Sequence, residues 1–360
     1  MLTEPLSPHR AASRLQGPLP SVLAGQPKRN SGKPASGRGH LPVRKLAILL
    51  AIVVLDSCRA TAEPAKEREL LRDPGFRCGF TLLEPAPGKR VPCGIIRGPE
   101  TNSAPVWDLD QWSSKHPLIN AAPELLADGS WRYTNAAKGV TLGFPGSARG
   151  DLGLAVRASM EYGTRARQSG EPWVHLLAEQ KVAHPPTLAE LSAARLHVEA
   201  RLLASVNMAG ADYRPSRHAA QFQIFFTVQN LNRQSPGYGH YLWFGVPLYD
   251  NRHRVVPAHR AQDTGGTLSF IYSLSSDVFT DASAHDGAWI VIDKDLRPLL
   301  CEGLAYAWRN HYLQESQELA DYRITAINLG WELPGTFDVD LEIRRLSLKA
   351  SYGNAGARQP

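Results

Sequence analysis

Three runs of the chain carry side chains able to do chemistry at alternate positions. "ARLHVEARLL" sets Arg195, His197, Glu199 and Arg201 against Leu196, Val198, Ala200 and Leu202. "QFQIFFTVQ" sets Gln221, Gln223, Thr227 and Gln229 against Phe222, Ile224, Phe226 and Val228. "YLWFGVPLY" sets Tyr241 and Trp243 against Leu242, Phe244, Val246 and Leu248. Solvated faces usually carry Lys, Glu and Thr, whereas here amides, guanidinium groups, an imidazole and large aromatics stand together. Planar amides and guanidinium forks match sugar hydroxyls and carboxylates. Aromatic rings offer flat apolar surfaces to the C–H side of a pyranose. If the three faces join, His197, Glu199, Arg201, Gln223, Tyr241 and Trp243 form a carbohydrate-binding groove. No Gly-rich phosphate loop, Gly-x-Ser-x-Gly elbow or His-Glu-x-x-His occurs, and no spacing resembles a zinc site. The expectation is a protein with neither metal nor cofactor.

Period-2 alternation means strands with one buried and one free face. The same alternation continues in "GTLSFIYSL", "AWIVID", "DYRITAINLGW" and "FDVDLEIRRLSL", between turn signals such as "DTGG", "HDG" and "LPG". Many short alternating runs divided by turns predict an all-β sandwich. One segment breaks the rule: "RPLLCEGLAYAWRNHYLQES" places Leu300, Leu304, Ala307, Trp308 and His311 at helical spacing. The expected fold is an antiparallel jelly-roll β-sandwich over 105–350, with one amphipathic helix near 298–314. Residues 63–104 read as an irregular Pro/Gly-rich segment, and 351–360 as a flexible tail.

A jelly roll with polar, aromatic-bearing strands resembles the concanavalin-like sandwiches of carbohydrate-binding modules, polysaccharide lyases and some glycosidases. "HVEAR" is similar to the Arg-x-Glu-x-Arg strand of alginate-lyase-type enzymes, with His197 in place of the first arginine. The Gln-x-His and Tyr-Phe-Lys motifs of those enzymes are missing. That resemblance implies Arg201 neutralising a uronate carboxylate, with His197 or Tyr241 as base. "DVDLE" resembles the Glu-x-Asp-x-(x)-Glu strand of laminarinase-type glycosidases, with Asp338 replacing the first glutamate. Alternate positions on a strand stand about 6.6 Å apart, and a retaining pair needs about 5–5.5 Å. Asp338, Asp340 and Glu342 therefore read as the solvated face of a closing edge strand.

Arg44 and Lys45, the apolar run Leu46 to Leu55 and the small tripeptide Ala60-Thr61-Ala62 have the order of a secretory signal peptide. The apolar run is about half the ~20 residues a membrane span needs. Residues 1–43, rich in Pro, Gly, Ser and basic residues, cannot bury a core and read as a mis-called translation start. "LDSC" offers a second ending, a lipid anchor at Cys58. Both endings place the protein outside the cytoplasm, secreted or periplasmic.

The formal net charge of +6 owes much to that leader. Without it the chain is nearly balanced, so nucleic-acid binding has no electrostatic footing. The hydrophobic share of 43% suits a globular chain. Beyond Cys58 stand Cys78, Cys93 and Cys301. In an oxidising compartment Cys78 and Cys93 are the expected disulfide. Closing that loop is worth roughly 3 kcal/mol in the chain-entropy model, and Cys301 is left as a buried free thiol. The functional expectation is an exported protein that binds a polysaccharide or oligosaccharide. The alternatives are a lyase or glycoside hydrolase on the same fold, and a structural cell-envelope protein.

Overall fold

The computed structural model describes residues 67–98, 102–264 and 266–353, all within one compact unit. The leader, the signal segment 44–62 with Cys58, and residues 354–360 lie outside the described residues. In chain order the strands are β1 (Glu67–Glu69), β2 (Phe80–Leu83), β3 (Pro92–Ile96), β4 (Trp107–Asp110), β5 (Pro123–Leu125), β6 (Trp131–Thr134), β7 (Lys138–Leu142), β8 (Leu152–Arg157), β9 (Val174–Lys181), β10 (Leu191–Asn207), β11 (Gln221–Asn230), β12 (Tyr241–Asp250), β13 (His259–Gln262), β14 (Phe270–Ser273), β15 (Ile290–Asp295), β16 (Tyr322–Leu333) and β17 (Phe337–Tyr352). Two α-helices join them, α1 (Ala158–Tyr162) and α2 (Arg297–Arg309).

The strands form the expected jelly-roll β-sandwich. An eight-stranded sheet runs β15-β10-β17-β8-β7-β6-β5, with β1 added along β17. A nine-stranded sheet runs β13-β14-β12-β11-β16-β9-β4-β2-β3. Pairing is antiparallel except for β12 with β14 and β2 with β4. Leu196, Val198 and Ala200 of β10 meet Phe222, Ile224 and Phe226 of β11, Phe244 of β12 and Leu329 and Trp331 of β16 in one buried core. Each is the inward member of an alternating pair, which is why the pattern was readable. The indole Nε1 of Trp331 donates to the Leu154 carbonyl of β8 at 2.8 Å, joining the two sheets through the interior.

The helix forms as expected but ends early. Pro298 sits in its first turn, where a missing N–H costs nothing. Leu300, Leu304 and Ala307 face the core. Asn310 closes the helix, and His311 turns away at a φ of 64°, so it is no part of the apolar stripe. Gly303 is needed for contact, since a Cβ there would lie 2.9 Å from the Tyr272 ring.

Two expectations are corrected. Residues 63–104 do not stay irregular, because β1 joins the first sheet and β2 and β3 complete the second. The segment joins the common core: Phe76 packs on Trp107 of β4 at 4.8 Å and on Phe80 at 5.7 Å. The Cys78–Cys93 disulfide is not formed. Phe80 pairs with Ile96 and Leu82 with Gly94, which sets Cys93 beside Leu82, four residues along the hairpin from Cys78. That is roughly 13 Å of strand, whereas a bridge needs Cα atoms closer than about 7 Å. Cys93 Sγ points to the Leu82 carbonyl at 3.5 Å instead. Cys301 is half-buried on α2 and outside any disulfide.

One end of the sandwich closes over a buried ion pair. Lys138 Nζ lies 2.5 Å from Glu161 Oε1, with both side chains essentially free of solvent. Ser114 Oγ and the Lys115 N–H each donate to the same carboxylate at 2.7 Å. Burial raises the Glu161 pKa, but Lys138 and these donors outweigh it and hold the carboxyl below its ordinary value. Replacing Lys138 with Met should therefore destabilise the protein by about 3–5 kcal/mol in urea titration, because it strands a buried carboxylate. Adding Glu161→Leu to Lys138→Met should recover most of that loss.

Candidate functional site

Each sheet has an outer face, and the six residues expected to form one groove are divided between them. His197, Glu199 and Arg201 lie on β10 of the eight-stranded sheet; Gln223, Tyr241 and Trp243 lie on β11 and β12 of the nine-stranded one. The two sets face away from each other across the core, so the joint groove does not exist. Alternation decides inside against outside, but a sandwich has two outsides.

On the eight-stranded sheet the expected site residues are engaged by charged neighbours. Glu199 accepts from Arg344 at 2.6 Å and from Arg345 at 2.8 Å. Arg201 donates to Glu342, and Arg195 pairs with Asp293 at 2.5 Å. His197 stands 3.8 Å from both Glu199 and Asp293. The Trp289 ring meets the guanidinium groups of Arg201 at 4.7 Å and Arg344 at 4.0 Å. Two of the DVDLE acids are engaged as well: Asp338 accepts from Ser159, and Glu342 accepts from Arg201 and the Gly150 N–H. Their strand is central, paired with β10 and β8, and not the closing edge expected from its place in the chain. Asp340 makes no hydrogen bond or ion pair with another described residue, and burial, then the Glu342 charge, push its pKa up to about 6.

The nine-stranded sheet is built differently. Across β11, β16 and β9 the outward residues align in rows: Gln221, Glu332 and His175; Gln223, Gly330 and Leu177; Phe225, Asn328 and Glu179. Trp331 and Leu329 turn inward, so Glu332, Gly330 and Asn328 must turn outward. Only glycine fits at the centre of the middle row, since a Cβ on Gly330 would stand 2.1 Å from the Leu176 carbonyl. Aromatic rings flank these rows on both sides. Trp112 and Trp173 lie 5.5 and 6.4 Å from the His175 ring. Trp243 lies 5.8 Å from Phe225 and 5.2 Å from Tyr241, and its Nε1 donates to Thr267 Oγ1 at 3.2 Å. Tyr241 is buried at the edge of this cluster, while Trp243 and Gln223 keep partial exposure. From His175 to Trp243 the face runs roughly 25 Å corner to corner.

Polar groups on this floor are left without protein partners. The side chains of Gln223, Asn328 and Glu332 make no hydrogen bond or ion pair with another described residue. Asn328 is only 9% exposed. Burial, and then the Asp263 carboxylate, push the Glu332 pKa up to about 7. Burial lowers that of His175 to about 4, against the opposing pull of the Trp173 carbonyl on Nδ1. An imidazole that stays neutral thus stands beside a carboxyl poised to hold or release a proton.

Further along, Glu179 pairs with Arg90 at 2.6 Å, and Arg90 reaches Asp108 at 2.5 Å. Asp110 is buried beside Glu179, and neither of its oxygens meets a donor among the described residues. Burial first, then the Glu179 charge, drive its pKa well above the ordinary carboxylate value. No cluster of His, Cys, Asp and Glu among the described residues is arranged to hold a metal ion.

Glu332, Asn328, His175, Trp112 and Trp173 are the members of this face that the sequence reading did not single out. A signal existed. "DYRITAINLGWEL" sets Asn328 and Glu332 opposite Ile327, Leu329 and Trp331, and "VHLLAEQK" sets His175 and Glu179 opposite Val174, Leu176 and Ala178.

No protein-family model matches this sequence, and no curated protein does. Solved structures show a distant likeness. A thermostable cellulase derived from the Cel12A cellulase of Rhodothermus marinus is 13% identical, with a TM-score of 0.36 over 64% of this chain and 96% of its own. A family 12 xyloglucanase from Bacillus licheniformis is 8% identical, with a TM-score of 0.37 over 64% of this chain and 97% of its own. The family 11 xylanase from Neocallimastix patriciarum is 9% identical, with a TM-score of 0.35 over 65% of this chain and 96% of its own. Scores this low carry nothing about activity, and the sandwich class rests on the two sheets themselves.

Proposed function

We propose that this protein binds a polysaccharide along the outer face of its nine-stranded sheet, outside the cytoplasm. One observation carries the reading: Gln223, Asn328 and Glu332 lie unpartnered between two sets of aromatic rings. A buried polar group without a hydrogen bond costs about 1–3 kcal/mol, and a ligand that supplies the bonds removes that cost. Amides both donate and accept, as a sugar hydroxyl requires. Indole and phenyl faces suit the C–H side of a sugar ring. The basic, apolar and small-residue order of 44–62 supports the location. A lyase built on Arg201 is not favoured, because Glu342 holds that guanidinium on the other sheet.

A hydrolase is the second reading, and Glu332 favours it. A carboxyl with a pKa near 7 is suited to donate a proton. Asp250 shares its row across Gln221, and the Asp263 carboxylate acts on Glu332 by charge. Two strand spacings put Asp250 roughly 10 Å away, close to the ~6.5–9.5 Å of an inverting pair, but Arg252 and Gln221 engage that carboxylate. Binding, which needs no second carboxylate, stands first.

Gln223→Ala separates binding from folding. The amide makes no bond inside the protein, so the variant should keep its stability within about 0.5 kcal/mol. Its affinity for a retained polysaccharide, measured by affinity electrophoresis, should drop roughly five- to tenfold. Equal migration of the two proteins in every polysaccharide would remove this face from the function. Release of reducing ends by the native protein would favour the hydrolase.

Glu332 also makes stability depend on pH. Its pKa rises from 4.5 in the unfolded chain to about 7 in the fold. Below the lower value both states hold the proton and nothing is lost. As pH rises through the window, the folded state must charge a desolvated carboxyl, and stability falls by about 1–3 kcal/mol. Glu332→Gln should thus melt higher than the native protein above about pH 7, and the two should converge near pH 4.5.

A further inference from the structure

We infer that a pocket at the β4–β9 end of this face receives the anionic group of an acidic sugar, a carboxylate or a sulfate ester. The inference rests on the polysaccharide reading and deepens it by naming a substrate class.

The pocket is an open depression of about 300 Å³, and its wall includes Arg72, Arg90, Val106, Asp108, Gln180 and Lys181. Three of these are cations and one is a carboxylate. Arg90 is committed, since it bridges Asp108 and Glu179. The guanidinium of Arg72 and the ammonium of Lys181 have no carboxylate within ion-pair distance among the described residues. Both are exposed, so their charge is directed to solvent and to whatever enters.

The site is held in place from beneath. Gln180 is 2% exposed, and its side chain clamps the backbone of Arg72 at both ends. The Arg72 N–H donates to Gln180 Oε1 at 2.7 Å, and Gln180 Nε2 donates to the Arg72 carbonyl at 2.8 Å. Arg72 is thereby fixed beside β9, although it follows β1 in the chain. Lys181 pairs in register with Ala326, two residues beyond the Glu179–Asn328 pair, so the pocket continues the outer face. Val106 supplies an apolar wall for the ring that bears the charge. An arginine fork and a lysine point charge together fit an oxyanion of two or three oxygens.

The test is an NMR titration of the isotope-labelled protein with glucuronate, glucose 6-sulfate, inorganic sulfate and glucose. Glucuronate or glucose 6-sulfate should shift the amides of Val106, Asp108 and Lys181 in a saturable way, and glucose should not. Whichever acid saturates at lower concentration identifies the group. In the double variant Arg72→Ala, Lys181→Ala the affinity should fall roughly three- to tenfold, the scale of two exposed ion pairs. Added salt should weaken binding in the same direction. The inference is overturned if glucose shifts the same amides equally, if neither acid saturates, or if the double variant binds unchanged. Inorganic sulfate binding as tightly as both sugar acids would reduce the pocket to a simple anion site and overturn the sugar assignment. The Gln223→Ala electrophoresis reports on the groove alone, so failure there is distinguishable from failure here.

Discussion

The indole of Trp331 spans the sandwich, and the outer face of the larger sheet depends on it. It is wholly buried, packs edge-on against Phe222 at 5.1 Å and Tyr249 at 5.8 Å, and donates to a carbonyl of the opposite sheet. A slip of one residue in β16 would put that indole in water and Glu332 in the core. The register is therefore set by the interior, and the exterior follows. Gly330 adds a second lock, since no side chain fits between β16 and the Leu176 carbonyl.

The two outer faces resolve the same physical problem in opposite ways. Most charges on the smaller sheet satisfy one another, Asp340 excepted, with Glu199, Arg201, Glu342 and Arg344 joined by short charge-assisted bonds beside Trp289. Such a face has little left to offer a ligand. On the larger sheet amides and a carboxyl remain unpaired in a partly desolvated setting, which is costly unless something else completes them. This difference in satisfaction, more than any motif, separates a structural face from a binding one.

How much of this was legible in the sequence depends on the range of the interaction involved. Alternation in "QFQIFFTVQ" and "YLWFGVPLY" correctly separates Phe222 and Phe244 from Gln223 and Trp243, because period two is a property of the strand itself. The helix at 297–309 was legible for the same reason, with its apolar positions one turn apart. The absence of the disulfide was not legible, because loop length says nothing of hairpin register, and the register of β2 with β3 carries the two thiols apart.

Inside against outside was thus determined by the sequence alone, strand by strand. Which outside a residue shares was decided only by the tertiary structure. Neighbourhood in a sheet comes from pairings between segments far apart in the chain, such as β9 with β16 and β10 with β17. Those pairings depend on how two apolar faces fit across a core, and no local pattern records that fit. His197 and Trp243 therefore share a parity but not a surface. Glu332 and His175, more than 150 residues apart in the chain, stand opposite each other because β16 pairs with β9.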